Sequence, residues 1–402
     1  MSKRVKAIIF SASLLVAAFA VMGGLNVRAA GINKNEGAYR QIGVYSEVLS
    51  RIRSEYVEEP NLGLVTNGAL HGLLESLDPD SSYLNAEEYK VYKAHKSDGK
   101  GDIGATVSKP FGYAAVISVI PGGPADKAQI HNGDIIEAID GKSTREMSLA
   151  EVHNLVTGEP GSNVNFSLVR ARRAEPQKVT VTRAVVSVPA SSEKMMEANV
   201  GYIKVFAFNK GKAQEIASRL RSLEHAGAKK LILDLRNVSS GEPQEGISTA
   251  NLFLSRGAIA SLSGQKYKRE DFSADAQKAV TSLPLVVLVN RGTAGPAEIV
   301  AAAILDNTRG DVLGEKTFGE SSVQKVIELP DGAALILSVA KYHSPSGKSI
   351  QDDAVTPNIT VAQEPDFGID EDETPQTPET NPQNAPDEQL RRAIEVLKNR
   401  PS

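Results

Sequence analysis

Apolar side chains in the early part of the chain recur at intervals of three and four. Ile42, Val44, Val48, Leu49, Ile52 and Tyr56 approximate one helical stripe, and Leu70, Leu73, Leu74 and Leu77 make another. That spacing predicts a helical region over 36–96. Leu77-Asp78-Pro79-Asp80-Ser81-Ser82 ends the second helix in a turn, because the residue before a proline is pushed out of the helical region. From 97 to 187 the period shortens. Alternating runs at 114–120, 134–139 and 163–169 are separated by Pro121-Gly122-Gly123-Pro124, Asn132-Gly133, Asp140-Gly141 and Pro160-Gly161. This predicts a small, mostly β domain, with one short helix at 148–156.

Beyond 199, strand and helix alternate. Strands are predicted at 201–206, 230–235, 283–290, 323–329 and 334–340. Helices are predicted at 210–226, closed by Gly227 as a C′ residue, and at 296–305. The class is α/β, with ligand or chemistry expected at strand-to-helix turns. Residues 363–388 carry nine acids and no base, and the same stretch holds Pro365, Pro375, Pro378, Pro382 and Pro386. Such a composition cannot build a core and predicts a disordered, solvated acidic linker. Leu390, Ile394 and Leu397 then give a short C-terminal helix.

The N-terminus changes the picture of where the chain works. Lys3, Arg4 and Lys6 precede 19 uncharged, mostly apolar residues (7–25), and Val27-Arg28-Ala29 offers a cleavage site. This is the pattern of a secretory signal. The stretch is also long enough for an uncleaved anchor. Either outcome places the rest of the chain outside the cytoplasm, in the periplasm or its equivalent, free or held at the inner membrane by that segment alone. The expected division is 1–29 signal or anchor, 36–96 helical region, 97–187 β domain, 188–362 α/β core, 363–386 linker and 387–400 helix.

Composition mainly excludes. Hydrophobic residues at 41% and charged residues at 23% fit a globular core. With 45 basic against 49 acidic side chains, no basic excess points to nucleic acid. Without cysteine there is no disulfide, thiolate nucleophile or cysteine-held metal. None of His71, His95, His131, His153, His225 and His343 is paired at a metal-ligand spacing, so neither metal nor cofactor is expected.

Several segments in order then carry a resemblance. They are Tyr56-Val57, Leu77-Asp78-Pro79 with Ser82-Tyr83-Leu84, Ile103-Gly104-Ala105, Gly123-Pro124-Ala125 with Gly133-Asp134-Ile135-Ile136, and Gly201-Tyr202-Ile203. They continue through Leu233-Asp234-Leu235-Arg236-Asn237, Val289-Asn290-Arg291-Gly292-Thr293-Ala294, Thr317-Phe318-Gly319 with Ser322-Val323-Gln324, and Ser349-Ile350-Gln351 with Val355-Thr356-Pro357. Over roughly 40–362 the chain resembles the carboxyl-terminal processing peptidases, secreted serine proteases with a Ser/Lys dyad and an inserted PDZ domain. The resemblance implies a ClpP/crotonase-like α/β core with a PDZ-like β domain inserted.

At the catalytic positions the match stops. The family's nucleophile position is Gly295, in Gly292-Thr293-Ala294-Gly295-Pro296-Ala297-Glu298, and its base position is Glu320, in Phe318-Gly319-Glu320-Ser321-Ser322-Val323-Gln324. A serine hydroxyl needs a base to take its proton, and a lysine serves only as a desolvated neutral amine. Gly295 has no hydroxyl. Only Gln324, the dyad's usual neighbour, is kept. The resemblance places one oxyanion-hole donor just after the nucleophile, where Pro296 has no N–H. The other falls in Val238-Ser239-Ser240-Gly241, where a glycine of the family turn is lost at Ser240. Losing one such donor typically lowers the rate by ~10²–10³.

The implied reading is a catalytically inactive relative that binds peptide C-termini or unfolded segments as a scaffold or regulator. An active paralogue or a second copy is the implied partner. The candidate carboxylate nest is Gly101-Asp102-Ile103-Gly104, with Asp102 where the family usually has glycine. Two alternatives stand beside it. One is an active endopeptidase using Thr293 or Ser322 as a rewired nucleophile. The other is a binder of hydrophobic small molecules, with a closed apolar cavity where the dyad would be. Asp234 and Arg236 are expected to be structural, pairing or capping beneath the site.

Overall fold

The computed structural model describes residues 34–95, 101–110, 112–170, 175–362 and 387–400. The signal or anchor at 1–29 and the acidic linker at 363–386 lie outside the described residues. Two compact units divide after Ala69. The first contains α1 (Lys34–Glu55), whose Tyr39, Ile42, Val44 and Val48 are exposed. Helix α2 (Leu62–Glu75) crosses the division.

Within the second unit, Asp78 ends the α2 region as expected. Its Oδ1 accepts from the N–H groups of Asp80 and Ser81, the side-chain turn chemistry for which Asp is suited. Then come β1 (Ser82–Leu84) and α3 (Ala86–His95). Strand β1 pairs antiparallel with a distant strand, Tyr83 opposite Leu335. That pairing is absent from the sequence reading, which has only a turn here.

The small β domain follows the predicted order: β2 (Ala105–Ser108), β3 (Ala114–Val119), α4 (Pro124–Lys127), β4 (Ile135–Ile139), β5 (Lys142–Ser143), α5 (Leu149–Val156), β6 (Asn163–Val169) and β7 (Gln177–Thr182). Its sheet runs β2-β3-β4-β6-β7, leaving β2 at an edge. Val107, Val116, Ile136, Val164, Phe166 and Leu168 fill its own core with Val152 and Val156 of α5. A capping box starts α5, with Ser148 Oγ accepting from Glu151 N and the Glu151 carboxylate accepting from Ser148 N.

The α/β part contains β8 (Ser192–Met196), β9 (Val200–Lys204), α6 (Lys212–His225), β10 (Lys230–Asp234), α7 (Pro243–Asn251), β11 (Ala258–Ser263), β12 (Glu270–Ser273), β13 (Leu285–Val289), α8 (Pro296–Asp306), β14 (Asp311–Gly314), β15 (Ser322–Glu328), β16 (Ala334–His343), α9 (Ile350–Asp353), β17 (Ile359–Thr360) and α10 (Glu388–Lys398). One sheet has the order β17-β14-β13-β10-β9-β8 and is parallel except for β8. Alternate residues serve opposite faces. Leu231, Leu233, Leu285 and Val287 enter the main core with α6, α7 and α8, while Ile232, Val286 and Leu288 face Ala393, Ile394 and Leu397 of α10. The C-terminal helix therefore closes the sheet's second face. Strands β15 and β16 do not extend this sheet. They form a hairpin in a second sheet with β1, β11 and β12.

Candidate functional site

The end of β13 opens into the turn Asn290–Gly295 and then α8. Buried Thr293 braces that turn, donating from Oγ1 to Leu235 O (2.9 Å) and accepting from Asn290 N (3.0 Å). A hydroxyl committed in this way is packed away from solvent. Gly295 has φ +57°, in the left-handed region that favours glycine. A Cβ built there would meet Glu320 O and Ser239 O, each at 3.6 Å, which is ordinary contact. Room for a side chain is present, although no side chain is.

Glu298 organises the loops around that position. It is fully buried. Its carboxylate accepts from Gly295 N (3.0 Å), Gly319 N (2.8 Å), Glu320 N (2.9 Å) and the Thr317 hydroxyl. Burial raises its pKa to about 7, and those four donors work against a larger rise. The sequence reading missed this role. The signal was available, since a glutamate three residues after a helix start is a capping-box spacing.

Glu320 has no such support. Its Oε2 is buried without a hydrogen-bond partner. Burial, then the charges of Asp80 and Glu298, push its carboxyl up to about 8, so at neutral pH it is mostly the neutral acid. Asp80 comes from the turn after α2, far away in sequence. Its Oδ2 accepts from Ser322 Oγ (2.9 Å) and Gln351 Nε2 (3.1 Å). Burial raises the Asp80 pKa too, opposed by Ser322 and Gln351 and reinforced by Asp78. Gln324 is exposed and donates to Ser322 Oγ (2.7 Å).

Pro296 stands at the first turn of α8, where a missing N–H is tolerated. Across from it, Gly241 has φ +125° and lies so close to Phe208 that a Cβ would come within 2.4 Å of its backbone. Ser240 O accepts from Phe208 N (2.9 Å). Ser239 links this turn to the β domain, donating to Thr106 Oγ1 (2.7 Å) and pairing with Ser118. Asn237 N donates to Asn290 Oδ1 (2.9 Å).

Below the turn, Asp234 and Arg236 are structural partners. Burial alone would raise the Asp234 pKa, but Lys204 and Arg236 outweigh it and hold the carboxyl far below its ordinary range. Tyr202 Oη donates to its Oδ2 (2.8 Å). Arg236 also reaches Asp387, just before α10 (2.8 Å).

At the candidate nest, Gly101 N donates to Gly158 O (2.7 Å) and Asp102 N to Ala184 O (2.8 Å). Asp102 Oδ1 accepts from Gly104 N (2.6 Å). On the neighbouring edge, His153 Nε2 lies 3.1 Å from Val107 O.

Two cavities are lined elsewhere, about 620 Å³ between α4 and residues 180–187 and about 260 Å³ beside the end of α8. Neither is lined by Gly295 or Glu320. The structure also unites His71, Glu88 and Glu151, whose ligand-type atoms lie within 4.8 Å of one another. They come from three helices, which is why no sequence spacing foretold them. Both carboxylates are already acceptors at helix starts, at Asn85 N and Ser148 N, and they act on His71 as an ion-pair cluster that raises its pKa, Glu88 most.

A parallel-sheet core with a β domain docked over its strand-to-helix turns is the architecture of a PDZ-bearing peptidase. The model of peptidase family S41 matches residues 199–361, and a PDZ domain model matches 116–170. The chain is 31% identical to the carboxy-terminal-processing protease of Bartonella bacilliformis, over 89% of this chain and 83% of that protein. It is 33% identical to the carboxy-terminal processing protease CtpA of Bacillus subtilis, over 82% and 71%. The solved photosystem II D1 C-terminal processing protease superposes with a TM-score of 0.66 at 27% identity, covering 79% of this chain and 86% of that one. The chain belongs to the carboxyl-terminal processing protease family.

Proposed function

We propose that this chain is an exported, catalytically silent member of its family. In this reading the PDZ domain binds peptide C-termini or unfolded segments, and the protein acts as a scaffold or regulator. The observation that carries it is the turn at Gly295. It offers no oxygen to attack a carbonyl, the next residue offers no N–H to an oxyanion, and the residue at the base position is an acid. Electrostatics support the same view. Asp80 and Glu298 complement a cation at position 320, yet a carboxyl stands there and is driven to its neutral form. The 3.6 Å clearance at Gly295 and the four-donor cradle of Glu298 fit a scaffold kept while its chemistry lapsed.

The partner in this proposal is an active processing peptidase or a second copy of the chain. The exposed apolar residues of α1 favour such assembly. No nucleic acid is involved, and membrane contact is limited to the N-terminal segment. Capture from an envelope fraction tests the partner: co-purification of an active relative is expected, and recovery only from the cytosol overturns the export claim.

The chemistry is tested with the purified mature chain and an unfolded substrate lacking a structured tail. No cleavage is expected. Gly295→Ser with Pro296→Ala and Glu320→Lys is expected to gain hydrolysis. A second reading has one observation behind it: Ser322 Oγ donates to the carboxylate of Asp80, a hydroxyl–acid pair. If the unaltered chain cleaves and Ser322→Ala abolishes it, the rewired endopeptidase replaces the silent one. Loss in Thr293→Ala points to the other candidate.

A further inference from the structure

Helix α5 packs against edge strand β2 of the PDZ domain, and the candidate nest at 101–104 runs into that strand. Free C-termini bind PDZ grooves by placing a carboxylate on the nest's N–H groups while the chain adds to the strand edge. Here those groups are largely engaged. Gly101 N and Asp102 N are held by backbone carbonyls, and Gly104 N is held by the Asp102 carboxylate at 2.6 Å. At the strand edge, His153 of α5 holds Val107 O at 3.1 Å. Ile103, Val107, Val152 and Val156 are packed with almost no exposure, so no open apolar pocket awaits a terminal side chain.

We infer that Asp102 is an internal stand-in for a ligand's terminal carboxylate, which makes this groove select internal extended segments of unfolded chains over free C-termini. The inference rests on the peptide-binding reading above and narrows it. An incoming carboxylate would have to displace a charged, hydrogen-bonded group of its own sign. An internal segment carries no such charge. It needs only the strand edge, freed by rotation of His153. Burial raises the Asp102 pKa, opposed by Gly104 N and by the charges of His153 and Arg183, consistent with a carboxylate held in a desolvated seat. The effect belongs to one side chain, because glycine at 102 would leave Gly104 N open.

The test measures binding of a fluorescent apolar decapeptide with a free C-terminus and of its amidated twin to the full mature chain. The unaltered protein is expected to bind the amidated peptide at least about threefold more tightly than the free acid. Asp102→Gly is expected to strengthen the free-acid peptide relative to the amide by about tenfold or more, the size of a charge-assisted hydrogen bond. Asp102→Ala serves as a second variant should the glycine loosen the loop. Equal binding of the two peptides by the unaltered chain, or any preference for the free acid, overturns the inference. So do Asp102→Gly and Asp102→Ala proteins that bind both peptides but do not gain for the acid, and then peptide binding itself survives. No binding of either peptide by any of these proteins overturns the peptide-binding reading along with the inference.

Discussion

Two carboxyl groups, Asp234 at the end of β10 and Glu320 in the loop before β15, are withdrawn from water in opposite company. Asp234 meets Lys204, Arg236 and the Tyr202 hydroxyl, and remains an anion. Glu320 meets Asp80 and Glu298, has a partnerless oxygen, and holds its proton to about pH 8. Desolvation acts on both. The sign of the neighbouring charges decides the outcome. The Asp234 network ties the sheet to the start of α10 and fixes the backbone leading into the Asn237–Gly241 turn. At Glu320 the surroundings suit a positive charge and hold the carboxyl in its neutral form.

Removing the cation should damage the first region most. Arg236→Ala leaves buried Asp234 with Lys204 as its cation and the Tyr202 hydroxyl as a neutral donor, and a loss of about 3–5 kcal/mol is expected in denaturant unfolding. A loss below 1 kcal/mol would show that Lys204 suffices. The second region should respond with the opposite sign. Glu320 binds its proton more tightly folded than unfolded, so the folded state carries the extra proton between about pH 4.5 and 8. Stability from this group therefore falls as pH rises through that window. Glu320→Gln should flatten the fall and raise stability at pH 9 by on the order of 2 kcal/mol. Thermal unfolding across pH 5–9 reads both effects, and an unchanged slope would remove Glu320 as their source.

The same electrostatics bear on the catalysis expected of the triple variant. In the Gly295→Ser, Pro296→Ala, Glu320→Lys protein, the charge of Asp80 holds the new lysine in its protonated form, which cannot act as a base. Adding Asp80→Asn should raise kcat roughly tenfold at pH 8 and move the rising limb of the pH profile downward. A profile that does not move would show that Asp80 does not reach the amine. The smallest effect is expected at Asp387, the exposed partner of Arg236, with a side chain 40% accessible. Asp387→Ala should lower stability by about 0–1 kcal/mol, against the much larger loss at Arg236 itself.

Much of the architecture was legible in the chain. The runs that predict β3, β4, β6, β10 and β13, and the stripes that predict α5, α6, α8 and α10, coincide with those elements within a few residues. Strands β8, β11, β12 and β14 escaped, because short or mixed runs such as Glu270–Ser273 carry little periodicity of their own. The expectation that Asp234 and Arg236 pair beneath the site was also readable, since two positions apart on one strand end they need no distant partner.

Sequence alone therefore determined the periodic elements, the family resemblance and the absent hydroxyl at Gly295, each a property of one residue or of a few adjacent ones. Tertiary structure decided which carboxylates share a pocket: Ser322 and Asp80 stand 242 positions apart yet hydrogen-bond. It also decided that the Asp102 carboxyl accepts from Gly104 N, that α10 covers the back of the sheet, and that β15 and β16 leave the parallel sheet for a second one. The physical reason is range. Backbone periodicity is fixed by neighbours along the chain, whereas the protonation and partners of a buried group depend on whatever the fold brings within a few ångströms of it.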